Sequence, residues 1–190
     1  TFLRKIRIPY TVGYGMTECA PLISYSHWKE YKETSVGKIL PNMEVKIASK
    51  DPFKEIGEIL VRGENVMAGY YKNEEATADA IDNEGWLHTG DMGYIDQDYN
   101  IYIRGRNKSM LLGANGQNIY PEEIEAKLNN MPYVAESVVV QNKASKLIAL
   151  VYPDQDAVKA EKLSEKALLK MMEKNKRHLN KQIAAYEQIA

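Results

Sequence analysis

Three short clusters set glycine beside hydroxyl or charged side chains in a way that core packing does not call for. In Gly13-Tyr14-Gly15-Met16-Thr17-Glu18, after an apolar approach through Ile8, Pro9, Tyr10 and Val12, glycines flank an aromatic and would let the backbone approach a flat ligand. A hydroxyl next to a carboxylate can hold a phosphate together with its Mg²⁺. The bland alternative is a tight strand-end turn with a solvated Thr-Glu pair, because short glycine motifs are weak signals alone. In Gly85-Trp86-Leu87-His88-Thr89-Gly90-Asp91, which the pattern puts at a turn between strands, a carboxylate fixed by glycine can accept from both hydroxyls of a ribose. Its alternative is an Asx turn in which Asp91 only caps backbone N–H groups. In Arg104-Gly105-Arg106-Asn107-Lys108-Ser109-Met110 positive charge closes a strand. Arg donates as a fork to hydroxyl or phosphate oxygens and Lys acts as a point charge, unless the stretch is simply a polar interdomain linker.

Other reactive residue types offer less. His27, His88 and His178 show no metal-ligand spacing. Cys19 has no CxxC partner and reads as a small buried filler. Met171 and Met172 read as core packing, and Lys159, Lys162, Lys166, Lys170 and Lys174 with interleaved Glu as a solvated helix face.

The elements that must position the clusters change character near Arg106 to Ser109. Before that point Val36–Leu40, Met43–Ala48, Ile56–Val61, Met92–Ile95 and Ile101–Arg104 read as strands, with Asp96 to Asn100 as a polar hairpin connection. One short helix is predicted over Glu74–Ile81 with Asn73 as its cap. The pattern implies a small β-barrel or sandwich unit. After Lys108 it gives a hairpin around Gly113-Ala114-Asn115-Gly116, a helix started by Pro121 with Glu122 and Glu123, strands Val134–Val140 and Leu147–Tyr152, and a long helix carrying Leu168, Met171, Met172, Leu179 and Ile183.

The 190 residues carry 25 Lys+Arg against 26 Asp+Glu, a formal charge of −1, and 44% are hydrophobic. That balance argues against nucleic acid as the main partner. The longest apolar runs fall far short of the ~20 residues that cross a bilayer. One cysteine fits a reducing, cytoplasmic compartment. The chain opens on Thr1, and Gln182 to Ala190 fall inside a helical period without a stop signal, so a fragment of a longer protein is expected.

Taken in order, the clusters resemble the adenylate-forming (AMP-binding) superfamily: acyl-CoA synthetases, adenylation domains of peptide synthetases, and luciferases. Tyr14-Gly15-Met16-Thr17-Glu18 is similar to its aromatic-Gly-x-Thr-Glu motif, Gly57-Glu58-Ile59 to Gly69-Tyr70-Tyr71 to the segment before its Thr-Gly-Asp, and Gly105-Arg106 to Glu125 to its hinge and glycine loop. Gly116-Gln117-Asn118-Ile119-Tyr120-Pro121-Glu122-Glu123-Ile124-Glu125 looks most like long-chain fatty acid–CoA ligases, with Gln117 replacing the commoner Glu.

The resemblance implies an α+β fold. Residues 1–107 would be the β-rich, distorted-barrel end of a large N-terminal domain, and residues 108–190 a mobile, incomplete α+β C-terminal domain cut before its catalytic Lys. It implies an acid–thiol ligase that makes an acyl-adenylate from a fatty acid and ATP with Mg²⁺, then transfers the acyl group to coenzyme A. By the same resemblance Tyr14 stacks on adenine with Gly15 beside it, Thr17 touches the α-phosphate, Glu18 ligates Mg²⁺, and Asp91 and Arg106 hold the ribose. Lys108 is the hinge, and Gly116 lines the pantetheine tunnel. The family's phosphate loop has no counterpart in residues 1–12, and Lys181 lacks the Gly and Pro that surround the terminal catalytic Lys. The 190 residues alone are therefore expected to be inactive. An adenylation domain loading a carrier protein and a non-catalytic nucleotide-binding module stand as alternatives. Acyl chain length, oligomeric state and peripheral membrane association stay open.

Overall fold

The computed structural model describes residues 2–113 and 116–190. Ala114 and Asn115, placed by the sequence at a hairpin tip, lie outside the described residues. The chain divides into two compact units, Thr1–Asn107 and Lys108–Ala190.

The first unit opens with a short helix, α1 (Phe2–Lys5), and a three-stranded antiparallel sheet in the order β1 (Val12–Gly15), β2 (Leu22–Ser26), β3 (Lys38–Ile39). Strand β2 escapes the sequence reading because it buries serines: Ser24 and Ser26 are inside, and Ser24 Oγ donates to Val36 O at 2.8 Å. A second sheet runs β4 (Met43–Ala48), β5 (Gly57–Gly63), β6 (Leu87–Ile95), β7 (Ile101–Arg106) as an antiparallel meander. Ile23, Met43, Ile47, Ile59, Val61, Leu87, Ile95 and Ile101 form its core with Cys19, burying apolar area that drives the packing. Helix α2 (Glu74–Ala80) starts where expected, because the Asn73 side chain accepts the Ala76 N–H at 3.0 Å.

The expected barrel is not there. The four-strand meander ends at β4 and β7, and those edges do not pair. Closure needs the outer edge of β7, but residues 36–39 occupy its start. Val36 N–H donates to Ile101 O and Ile101 N–H to Gly37 O, both at 2.9 Å. The unit is a set of open antiparallel sheets, and no sheet closes among the described residues.

The second unit pairs β8 (Leu111–Leu112) with β9 (Asn118–Ile119), follows with α3 (Pro121–Leu128), and pairs β10 (Val134–Gln141) with β11 (Leu147–Pro153). Two helices follow in place of one: α4 (Gln155–Ala160) and α5 (Glu165–Asn180). The break has local causes. Asp154 caps α4, Lys162 turns to φ 51, and Ser164 Oγ accepts the Ala167 N–H at 3.3 Å to restart the helix. Ile119, Ile124, Leu128, Val139, Leu147, Leu179 and Ile189 make the core.

Residues beyond Asn180 do not continue the helix. The Asn180 side chain holds both backbone groups of Ile189, accepting its N–H at 3.0 Å and donating to its O at 2.9 Å, and Ile189 bridges Leu147 in parallel. No helix among the described residues is long and apolar enough to cross a membrane.

Candidate functional site

Strand β1 delivers Tyr14, and the turn after it delivers Thr17 and Glu18. Gly15 makes that turn feasible: a Cβ there would lie 1.8 Å from Pro21 O, inside the main chain of the return strand. Met16 N–H donates to Pro21 O at 2.8 Å, and Thr17–Cys19 form a 3₁₀ turn. Asn65 Nδ2 steadies it with bonds to Cys19 O (2.6 Å) and Leu22 O (3.0 Å). Thr17 is exposed and Glu18 half-buried, with Glu18 Oε1 accepting the Tyr70 hydroxyl at 2.9 Å. Cys19 is buried beneath; burial, then the nearby Glu18 charge, pushes its thiol up to about 11, which keeps it an inert filler.

Asp91 lies inside β6, not at the turn the sequence suggested. The carboxylate is 16% exposed and has two side-chain partners from distant parts of the chain. Tyr14 OH donates to Oδ2 at 2.6 Å, and Arg106 Nε lies 3.3 Å from Oδ1. Arg106 is placed directly opposite Asp91 in the β6–β7 register, and its Nη2 donates to Thr89 O at 3.3 Å. These contacts replace the Asx-turn alternative, since Asp91 spends its oxygens on side chains. Burial, then the hydrogen bond to Asp91, holds the Tyr14 phenol well above its usual range, so it stays protonated and donating.

The fold thus joins the first cluster to the second through Tyr14–Asp91 and the second to the third through Asp91–Arg106. A carboxylate has about four lone-pair directions. Two are in use at Asp91, which leaves acceptor capacity for a vicinal diol beside a half-buried aromatic ring. Glu18 offers one more oxygen next to the Thr17 hydroxyl. No group of three or more His, Cys, Asp or Glu among the described residues could hold a metal ion alone. One carboxylate is, however, the kind of donor Mg²⁺ takes when substrate phosphates and waters fill its remaining positions.

Lys108 and Gly116 belong to the second unit. Lys108 is exposed in the 3₁₀ turn Asn107–Ser109, and the unit boundary falls between Asn107 and Lys108. Gly116 is exposed at φ +80, with open space where a Cβ would be. Sequence reasoning gave no role to Tyr70, Asn65 or Glu58, although the Gly57 to Tyr71 segment was among the matching stretches. Each acts through a contact more than thirty positions away, which local spacing does not show.

Residues 1–71 match the AMP-binding enzyme family and residues 108–190 the AMP-binding enzyme C-terminal domain, together most of the chain. Among curated relatives, 4-coumarate–CoA ligase 1 of Oryza sativa subsp. japonica is 42% identical over 138 residues, covering 67% of this chain and 24% of its own length. Long-chain-fatty-acid–CoA ligase FadD15 of Mycobacterium bovis is 35% identical over 156 residues, covering 82% and 25%. The solved O-succinylbenzoate coenzyme A synthetase (MenE) of Bacillus subtilis in complex with AMP superposes with a TM-score of 0.79 at 31% identity, over 100% of this chain and 38% of that one. The chain belongs to the AMP-binding, adenylate-forming enzymes. It spans about a quarter of the length of the curated relatives it matches.

Proposed function

We propose that this chain is part of an ATP-dependent ligase that activates a carboxylic acid as its acyl-adenylate and passes the acyl group to coenzyme A. The observation that carries the reading is the convergence of Tyr14, Asp91 and Arg106 from three separate clusters. Adenine would lie on the Tyr14 ring beside Gly15, where a glycine backbone permits close approach. Asp91 and Arg106 would bond the ribose hydroxyls, one accepting and the other donating. The Thr17 hydroxyl would donate to the α-phosphate and the Glu18 carboxylate would hold Mg²⁺, whose charge offsets that of the phosphates.

In the first half-reaction a substrate carboxylate oxygen bonds to the α-phosphorus as the bond to pyrophosphate breaks. In the second, the coenzyme A thiolate bonds to the acyl carbon and AMP leaves with the oxygen. Asp91 and Arg106 fix the nucleoside through both, so the acyl-phosphate stays in place while its surroundings change. Lys108 would absorb the dihedral change between half-reactions, and Gly116 would border the path of the pantetheine arm; the open space beside Gly116 supports that role. A long-chain fatty acid is the acid we favour, on the Gly116 to Glu125 stretch. The 190 residues alone would be inactive, because residues 1–12 hold no Ser/Thr/Gly-rich phosphate loop.

Calorimetric titration of AMP with Mg²⁺ into the full-length protein tests the reading. Binding that Asp91→Ala weakens supports it; binding absent from the wild type, or indifferent to Asp91→Ala, overturns it. Pyrophosphate exchange driven by fatty acids of graded length then tests the substrate. Exchange by the purified 190-residue chain would overturn the inactivity of that chain.

A further inference from the structure

Asp91 reaches Tyr14 because β6 carries surplus chain. In the β5–β6 register Glu58 faces Met92 and Leu60 faces His88, so Thr89, Gly90 and Asp91 together oppose Ile59 alone. Such a bulge leaves backbone donors that the ladder cannot satisfy, and bends the strand so that side chains point where a regular strand would not send them. Side chains satisfy them here. Thr89 Oγ1 accepts the Asp91 N–H at 3.0 Å while donating to Ile59 O at 2.7 Å, and Glu58 Oε1 accepts the Gly90 N–H at 3.1 Å. Gly90 stands at φ +72, the left-handed region, and without a side chain it has the widest range of alternatives if released.

We propose that Glu58 is a positioning residue for Asp91: by holding the Gly90 N–H it sets the bulge from which the Asp91 carboxylate meets the ribose hydroxyls. The proposal rests on the nucleotide reading above. Glu58 is suited to the task because its side chain is only 19% exposed and a carboxylate makes a stronger acceptor than a neutral oxygen. It is also braced. Its Oε2 lies 3.0 Å from His88 Nδ1, and His88 Nε2 lies 3.9 Å from Asp82 Oδ2. Among the described residues the hydrogen bonds of Glu58 go to Gly90 and His88 and not to the Tyr14, Arg106 or Asp91 side chains, so its effect on the ribose passes through Gly90.

The test compares AMP with 2′,3′-dideoxy-AMP, each with Mg²⁺, by calorimetry on the full-length protein and its Glu58→Ala, Glu58→Gln and Asp91→Ala variants. Wild type should prefer AMP, and Asp91→Ala should erase the preference. Glu58→Ala should lower AMP affinity about tenfold, the loss of one charged hydrogen bond, and leave the dideoxy ligand unchanged. Glu58→Gln, which keeps an oxygen for Gly90, should retain the preference. A Glu58→Ala variant that keeps the preference, or loses both ligands equally, overturns the positioning role, as does a Glu58→Gln variant as impaired as Glu58→Ala. A wild type without the preference, or one whose preference survives Asp91→Ala, overturns the ribose reading itself, which separates that failure from failure at Glu58 alone.

Discussion

Tyr14 on β1 and Asp91 on β6 stand 77 positions apart and share a hydrogen bond of 2.6 Å. The bond ties two sheets of the first unit together through a half-buried phenol whose proton the fold retains. Above about pH 10 the unfolded chain releases tyrosyl protons that the folded Tyr14 keeps, so the folded state binds more protons and loses stability as pH rises. Tyr14→Phe should remove part of that alkaline loss, at a cost of about 1–2 kcal/mol near neutrality. Urea denaturation at about pH 8 and about pH 11 measures both; an unchanged alkaline slope would count against a native-state proton on Tyr14.

Asp96 gives the opposite limb. Burial works against its charge, but bonds from Lys32 Nζ (2.8 Å), the Asn100 backbone (3.0 Å), the Asn100 side chain and Tyr102 OH (3.1 Å) outweigh it and hold the carboxyl below its usual range. This stabilisation is present above the ordinary carboxylate pKa and is lost as pH falls below about 4. Asp96→Asn should cost about 1–3 kcal/mol at neutral pH and much less at about pH 2, which paired denaturation curves resolve.

Gly15→Ala tests the turn that carries Thr17 and Glu18. Its methyl would fall on Pro21 O and within 2.9 Å of Leu22 Cα, both main-chain atoms that cannot give way alone. A loss of more than about 2 kcal/mol is expected, against about 1 kcal/mol for Gly116→Ser, where space is open and the positive φ alone is strained. Thermal melts of the two variants rank them.

Lys108→Pro addresses the proposed hinge. A pyrrolidine ring locks φ near its ordinary negative value, so a movement that turns about this residue is hindered while the sheets of the first unit are untouched. In the full-length protein thioester formation should slow at least about tenfold and adenylation less than about twofold. Rapid-quench measurement of each half-reaction decides it, and equal slowing of both would count against the hinge.

What the sequence discloses about this fold is mostly local. Asn73 announces α2, and Pro121 with Glu122 and Glu123 announces α3, because caps act within one turn. The barrel expectation failed for the opposite reason. Whether β7 meets β4 depends on what reaches that edge, and residues 36–39 reach it first. The last residues were misread because their helical spacing is overruled at Asn180, whose side chain captures Ile189 nine positions on. At the site the three clusters were legible as separate pieces of chemistry. Their joining was not, nor was the part played by Glu58 and Tyr70, since both act across folded distances on another residue's geometry.

The surplus residues of β6 also mark the strand against misalignment. A one-residue slip against β5 would turn Ile59 and Val61 away from the core and carry Glu58 off the Gly90 N–H that it accepts at the bulge. Mispaired hairpins would forfeit apolar burial and the Tyr14–Asp91–Arg106 arrangement in the same step. A chain that displays this arrangement therefore certifies its own strand alignment, and any ligand gripping it would draw folding toward that alignment by mass action.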